Sequence, residues 1–156
     1  MKSIILTYAP IQQSELEIIK NTKIYKLALN HHAQELKPNA RIISDYVLPK
    51  ICAKFPQDKI ISVREKLRYP SINVEYYEGE FKGATIISAI DYLISKKYKD
   101  ILIIGDNSVN GNEFINLINN EINKIKNTFN KVNIYQYTRG NFPLPQMCIS
   151  DFCRDE

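Results

Sequence analysis

The chain has 156 residues, 44% of them hydrophobic and 24% charged, which are the proportions of a globular protein of one-domain size and exclude a disordered chain. Its longest apolar runs, such as Ile101 to Ile104, fall far short of the roughly 20 residues that span a membrane. The net charge of +4 comes from basic residues interleaved with acidic ones, as in Lys96-Lys97-Tyr98-Lys99-Asp100 and Arg64-Glu65-Lys66, a solvated surface rather than a clustered nucleic-acid face.

The start, Met1-Lys2-Ser3 and then Ile4-Ile5-Leu6, has too brief an apolar run for a signal peptide and no small-residue cleavage site, so the expected compartment is the cytoplasm. Lys2 to Thr7 forms the continuous apolar run expected of a buried parallel strand, and Tyr8-Ala9-Pro10 ends it. Ser14 is placed to cap a short helix through Leu16, Ile18 and Ile19 that breaks at Asn21-Thr22. A second strand is predicted over Lys23 to Leu29, ending in Asn30-His31-His32. After a turn at Lys37-Pro38-Asn39 comes a third, Arg41 to Ser44, ending in Asp45-Tyr46. Val47 to Phe55 reads as a helix that tolerates Pro49 in its first turn, where a missing N–H costs nothing. Lys59 to Val63 is a fourth strand, and Ile72 to Tyr76 a fifth whose alternating character places it nearer an edge.

The strongest helical pattern runs from Thr85 to Lys97, where Ile86, Ile87, Ile90, Leu93 and Ile94 make one apolar stripe. Asp100 to Ile104 is the next strand, ending in Gly105-Asp106-Asn107. Residues 112 to 127 repeat the helical stripe with Phe114, Leu117, Ile118, Ile122 and Ile125, and Val132 to Tyr137 is the last strand. From Arg139 onward Gly140, Pro143 and Pro145 oppose regular structure, yet Phe142, Leu144, Met147, Ile149 and Phe152 are too apolar for a free tail. The tail is expected to pack on the domain or on a second copy of the chain. Cys52, Cys148 and Cys153 are odd in number and make no Cys-x-x-Cys pair, so they suggest neither a disulfide framework nor a zinc ribbon.

Alternation of strand and helix predicts an α/β fold: a three-layer, mostly parallel sheet with helices on both faces, Rossmann-like. With no repeat or linker, the chain reads as a single domain over residues 1–156, with an irregular apolar tail from about 139. In such a sheet ligands bind beyond the carboxyl ends of the strands, near the point where strand order reverses. That rule selects Tyr8-Ala9-Pro10, Asn30-His31-His32, Ser44-Asp45-Tyr46, Arg64-Glu65, Glu78 to Thr85, Gly105-Asp106-Asn107 and Thr138-Arg139. Glu80-Phe81-Lys82-Gly83-Ala84-Thr85 leads straight into the strongest helix. There, backbone N–H groups, the positive end of the helix dipole and the Lys82 ammonium can meet a phosphate, the alternative being a capped loop with a glycine turn. His31 and His32 offer a general base or a ligand hydrogen bond, but adjacent histidines diverge and no third metal ligand stands at motif spacing. Asp106 can accept sugar hydroxyls and Gly105 lets a ligand approach the backbone, the alternative being a strand-to-loop turn. Asn30, Asp45 and Asp106 form a second possible cluster. The chain has no Gly-x-Gly-x-x-Gly, Walker loop, Gly-x-Ser-x-Gly elbow or His-Glu-x-x-His, and nothing in it asks for a cofactor or a metal.

Leu6-Thr7-Tyr8-Ala9-Pro10, Leu29-Asn30, Ile43-Ser44-Asp45-Tyr46, and Gly83-Ala84-Thr85 through Tyr98-Lys99-Asp100-Ile101-Leu102-Ile103-Ile104-Gly105-Asp106 follow one another in order over residues 1 to 107. In that order they resemble bacterial sialyltransferases that use CMP-sialic acid, and the related motility accessory factor and pterin diphosphokinase-like proteins. The resemblance implies a glycosyltransferase-like fold and a CMP-type nucleotide or nucleotide-sugar ligand, in a pocket lined by Tyr8, Ala9, Pro10, Asn30, Gly83, Ala84, Thr85, Gly105 and Asp106. Two positions depart from the family. Ala9 stands where the family keeps a glycine, and its Cβ hinders both a positive φ and a close phosphate. No histidine follows His32, whereas the family places its catalytic histidine in a later lid region. Two expectations therefore stand side by side. In one, His31 or His32 is the base in transfer of a sugar from a CMP-linked donor to an acceptor hydroxyl, while Lys82, Arg64 and Arg139 stabilise the leaving phosphate. In the other, the chain is a non-catalytic interaction module that keeps the fold and binds a partner through its apolar tail.

Overall fold

The computed structural model describes residues 1–7, 11–30, 33–43, 48–63, 73–81, 84–105, 111–137 and 142–155, without the side chains of Leu48, Asn112 and Phe114. The apolar runs become strands β1 (Lys2–Leu6), β2 (Tyr25–Leu29), β3 (Ala40–Ile43), β4 (Ile60–Ser62), β5 (Val74–Tyr76), β6 (Asp100–Ile104) and β7 (Asn133–Gln136). They pair side by side in the order β5-β4-β3-β2-β1-β6-β7, and every one of these pairings is parallel. The predicted alternating strand is indeed the edge strand β5, half-buried along its length.

Helices α1 (Gln13–Asn21), α2 (Leu48–Lys54), α3 (Thr85–Ser95), α4 (Gly111–Thr128) and α5 (Ile149–Phe152), with a 3₁₀ turn at Gln34–Leu36, connect and flank the strands. Side chains alternate across a strand, so each strand feeds two cores. Ile5, Leu27, Ile42, Ile61 and Ile103 join Ile86, Ile90, Ile118, Ile122 and Ile125 beneath α3 and α4. On the opposite face Ile4, Leu6, Ala28, Leu102 and Ile104 meet Ile19 of α1 and Ile149 and Phe152 of α5. Further along that face, Ile43 and Ile60 meet Ile51 of α2 and Phe55. The fold is the three-layer, Rossmann-like α/β arrangement, and no helix among the described residues is long and apolar enough to cross a membrane.

Four local expectations change. Ser14 lies inside the first turn of α1 and Gln12 is the N-cap, making no side-chain capping bond. On α4, Leu117 is 64% exposed and Ile115 is buried. The buried stripe is Ile115, Ile118, Ile122 and Ile125, and Leu117 stands one residue, about 100°, off its line. Helix α3 is buried almost all round, from Ile86 to Leu93, where an amphipathic stripe was expected. Its outer side is covered by the segment Tyr77 to Phe81. There Phe81 donates its N–H to the buried Asp91 carboxylate (3.3 Å), and Gly79 lies so close that a Cβ would come within 1.9 Å of Asp91 Oδ2.

The tail is not wholly irregular. Gln136 donates through Nε2 to the carbonyls of Phe142 (2.8 Å) and Leu144 (2.6 Å), and its backbone pairs with Pro145 and Met147. This lays the tail along β7. The chain then forms α5, whose first N–H groups, at Ile149 and Ser150, point at the Glu15 carboxylate of α1 (3.3 and 3.4 Å). Lys2 Nζ donates to the carbonyls of Phe152 and Arg154 at its other end (2.8 and 2.9 Å). Phe142, Leu144, Ile149 and Phe152 are all buried within their own chain.

Candidate functional site

Because the strands are parallel, their carboxyl ends share one edge. Along it the described residues that end or follow each strand are Tyr77, Val63, Ile43, Asn30, Thr7, Gly105 and Tyr137, in spatial order from β5 to β7. Strand order reverses between β1 and β6. From β1 the chain proceeds through α1 to β2 on one side, and α3 later carries it back across the sheet to β6 on the other. Connections that diverge to opposite faces characteristically leave a crevice at such a point; here Thr7 and Gly105 follow the two strands that flank it, and Asn30 follows β2 next to β1.

Each of these three residues is set by the backbone. Thr7, buried, donates its N–H to Ile104 O (2.9 Å), so β1 and β6 stay paired to their last residues. Gly105 has φ 113°, which side chains with a Cβ rarely adopt. Asn30 has φ 50°, the left-handed region in which asparagine is enriched. Its N–H donates to Ile42 O (3.1 Å) and its carbonyl accepts from Arg41 Nη1 (3.1 Å). With both main-chain groups engaged, the side-chain Oδ1 is buried without a hydrogen-bond partner. A buried acceptor left in this state is costly, which marks Asn30 out among the residues of this edge.

Helix α3 packs on β1, β2 and β3. It runs from the end of β5 to the start of β6, so its N-terminus lies at the carboxyl edge. Its N-cap residue is Ala84, φ −63° and ψ 152°, which has no side chain to cap the first-turn N–H groups. Thr85 opens the helix. Of the residues that the sequence nominated, the structure therefore brings Asn30, Ala84, Thr85 and Gly105 to one edge. Tyr8, Ala9, Pro10, His31, His32, Asp45, Lys82, Gly83 and Asp106, together with Arg64 and Arg139, lie outside the described residues.

Sequence reasoning passed over three groups near this edge. Arg41 is fully buried at 0% exposure: Nε donates to Asp58 Oδ2 (2.7 Å), Nη2 to Gln34 Oε1, and the guanidinium lies 3.7 Å from the Phe55 ring centroid. A lone arginine inside an apolar strand gives no local sign of this. Tyr137 and Glu15 meet where β7 ends beside the start of α1. The Tyr137 hydroxyl accepts the Gln12 N–H (3.2 Å), and its pKa is raised, first by burial and further by the Glu15 carboxylate that it hydrogen-bonds. Asp91 also titrates above the usual carboxylate range. Burial is the main cause, Glu80 adds repulsion, and hydrogen bonds from the Phe81 N–H and Tyr77 oppose the shift.

Among the described residues no group of three or more histidine, cysteine, aspartate or glutamate side chains could hold a metal ion. The described geometry combines a buried acceptor at Asn30, a buried glycine of positive φ at Gly105 and a helix start whose N-cap residue, Ala84, makes no side-chain cap. No family model, curated protein or solved structure matches the chain.

Proposed function

We propose that the chain binds a nucleotide or nucleotide sugar at the carboxyl edge of its sheet, between the ends of β1 and β6, as the resemblance to CMP-sialic-acid-dependent sialyltransferases implies. The observation that carries this reading is Asn30, the residue the resemblance assigns to the nucleotide. It stands beside the reversal point with its backbone fully paired and a buried Oδ1 without a donor. A ribose or sugar hydroxyl, or a base amine, supplies that donor. The phosphate lies at the start of α3, where Ala84 provides no side-chain cap and the helix dipole favours negative charge.

The parent activity is transfer of a sugar from a CMP-linked donor, carried out in the cytoplasm. An acceptor hydroxyl attacks the anomeric carbon, the bond to the phosphate oxygen breaks with its electron pair leaving on CMP, and a base removes the hydroxyl proton. His31 and His32 are the candidate bases, and Lys82 is the cation for the leaving phosphate. The alternative, an interaction module acting through its tail, finds less support, since the large apolar side chains of the tail are already buried against their own sheet.

Thermal-shift titration with CMP, CDP, UDP and GDP tests the reading, because a ligand at a hundred times its Kd stabilises the folded state by about 2.7 kcal/mol. Loss of a charge-assisted contact of about 1.5–3 kcal/mol should make Lys82→Ala bind roughly ten- to hundredfold more weakly. The reading fails if none of the four binds at millimolar concentration. It also fails if one binds with unchanged affinity to Lys82→Ala, Gly83→Val and Asn30→Ala alike.

A further inference from the structure

The left-handed backbone of Asn30 turns its carbonyl to Arg41, whose Nη1 captures it at 3.1 Å. Arg41 is itself fixed from several directions. Asp58, just ahead of β4, takes Nε, Gln34 of the 3₁₀ turn takes Nη2, and the Phe55 ring lies against the guanidinium plane. The side chain is wholly buried.

Burying an arginine in an ion pair is a poor route to stability. Well-packed apolar residues of the same volume commonly serve as well or better, because both charges lose their water. What an apolar residue cannot supply is a rigid planar fork of donors aimed at separate acceptors. Here that fork joins the end of β2, the 3₁₀ turn and the approach to β4, and one of its prongs holds the residue that carries the partnerless buried acceptor.

We propose that Arg41 is a positioning residue of the site: its guanidinium holds Asn30 in the left-handed conformation and thereby sets the direction of the Asn30 amide toward the ligand. This inference rests on the nucleotide reading of the site for its consequence, but not for the Arg41–Asn30 coupling itself.

The test uses the whole chain with ¹⁵N labelling. The Asn30 side-chain amide resonances are assigned by their disappearance in Asn30→Asp, then followed in Arg41→Met, in Arg41→Lys and in Ile125→Val, a core change beneath α4 on the other face. Each variant is also titrated with CMP. Arg41→Met should move the Asn30 amide resonances and, with the acceptor no longer pre-oriented, weaken CMP about tenfold. Arg41→Lys, which keeps one charged donor, should fall between Met and wild type. Ile125→Val should leave the resonances in place and the Kd within about twofold.

Unmoved Asn30 resonances in Arg41→Met overturn the proposal, as does an equal loss of affinity in Ile125→Val, which would make the effect one of global stability. If the wild type binds none of CMP, CDP, UDP and GDP, the nucleotide reading fails, and the ligand-free resonances alone decide whether Arg41 sets Asn30. If Arg41→Met is too unstable to record, Gln34→Leu removes one acceptor of the fork, and the same resonances should shift less but in the same direction; no shift would again overturn the proposal.

Discussion

On one face the sheet meets α3 and α4, helices of 11 and 18 residues, over a continuous core built from isoleucine and leucine. On the other it meets α1, α2 and α5, of 9, 7 and 4 residues, and a 3₁₀ turn of 3, and there buried charges recur: Glu15, Lys26 and Arg41. The charges sit where the short elements are incomplete. Lys26 Nζ donates to Ile19 O and Lys20 O at the end of α1 (3.0 and 3.4 Å). Glu15 accepts from the first N–H groups of α5, and Arg41 holds the turn after β2. A helix of one or two turns buries little apolar area yet has as many unsatisfied end groups as a long one. Charged side chains from neighbouring elements therefore complete this face, whereas apolar burial dominates on the other, with Gln136 and Asp91 as its buried polar contacts.

The comparison is broken most readily on the apolar face. Ile90→Ala, at a position with no exposure, should lower the unfolding free energy by about 2–5 kcal/mol in a urea titration. A loss below about 1 kcal/mol would mean that the long-helix core does not dominate stability. On the polar-pinned face, Glu15→Ala should cost less, about 1–3 kcal/mol for the lost charged hydrogen bonds. Its effect should also be local, with amide exchange accelerating in residues 149–155 and not in β1 or β2. Uniform acceleration would show that α5 opens only with the whole domain.

The smallest effect concerns Asp91, the one buried carboxylate on the α3 side among the described residues. Its folded-state pKa is raised, chiefly by burial. Its contribution to stability is therefore fully present below the unfolded-state value and is lost as pH rises through the folded-state one. The stability of the wild type relative to Asp91→Asn should decline accordingly as pH rises through the acid range. A difference independent of pH would show that Asp91 titrates alike in both states.

How much of this was legible in the sequence depends on where the responsible forces act. The runs Ile4 to Leu6 and Ile101 to Ile104 announce buried parallel strands because a strand covered on both faces admits only apolar side chains along its length. The alternation over 72–76 gave away an edge in the same manner. Gly105 was marked as a place where a ligand could approach the backbone, and its positive φ is a feature that only the structure adds. Asn30 was marked by position and resemblance, but its orphaned Oδ1 was invisible, since that depends on what surrounds the side chain after folding.

Local sequence thus determined the strands, the major helices, the apolar character of the tail and the carboxyl edge as the place to look, since each follows from residues close together in the chain. Tertiary structure decided which strands became neighbours. Lys2 pairs with Asp100 while Ser3 pairs with Tyr25 on the other side, so the reversal beside Thr7 exists only after distant segments meet. It decided that Leu117 and not Ile115 faces solvent, because the roll of α4 is set by the sheet beneath it. It also decided the role of Arg41: Asn30, Gln34, Phe55 and Asp58 are spread over 29 positions of the chain and converge on one guanidinium only when β2, β3 and β4 lie side by side.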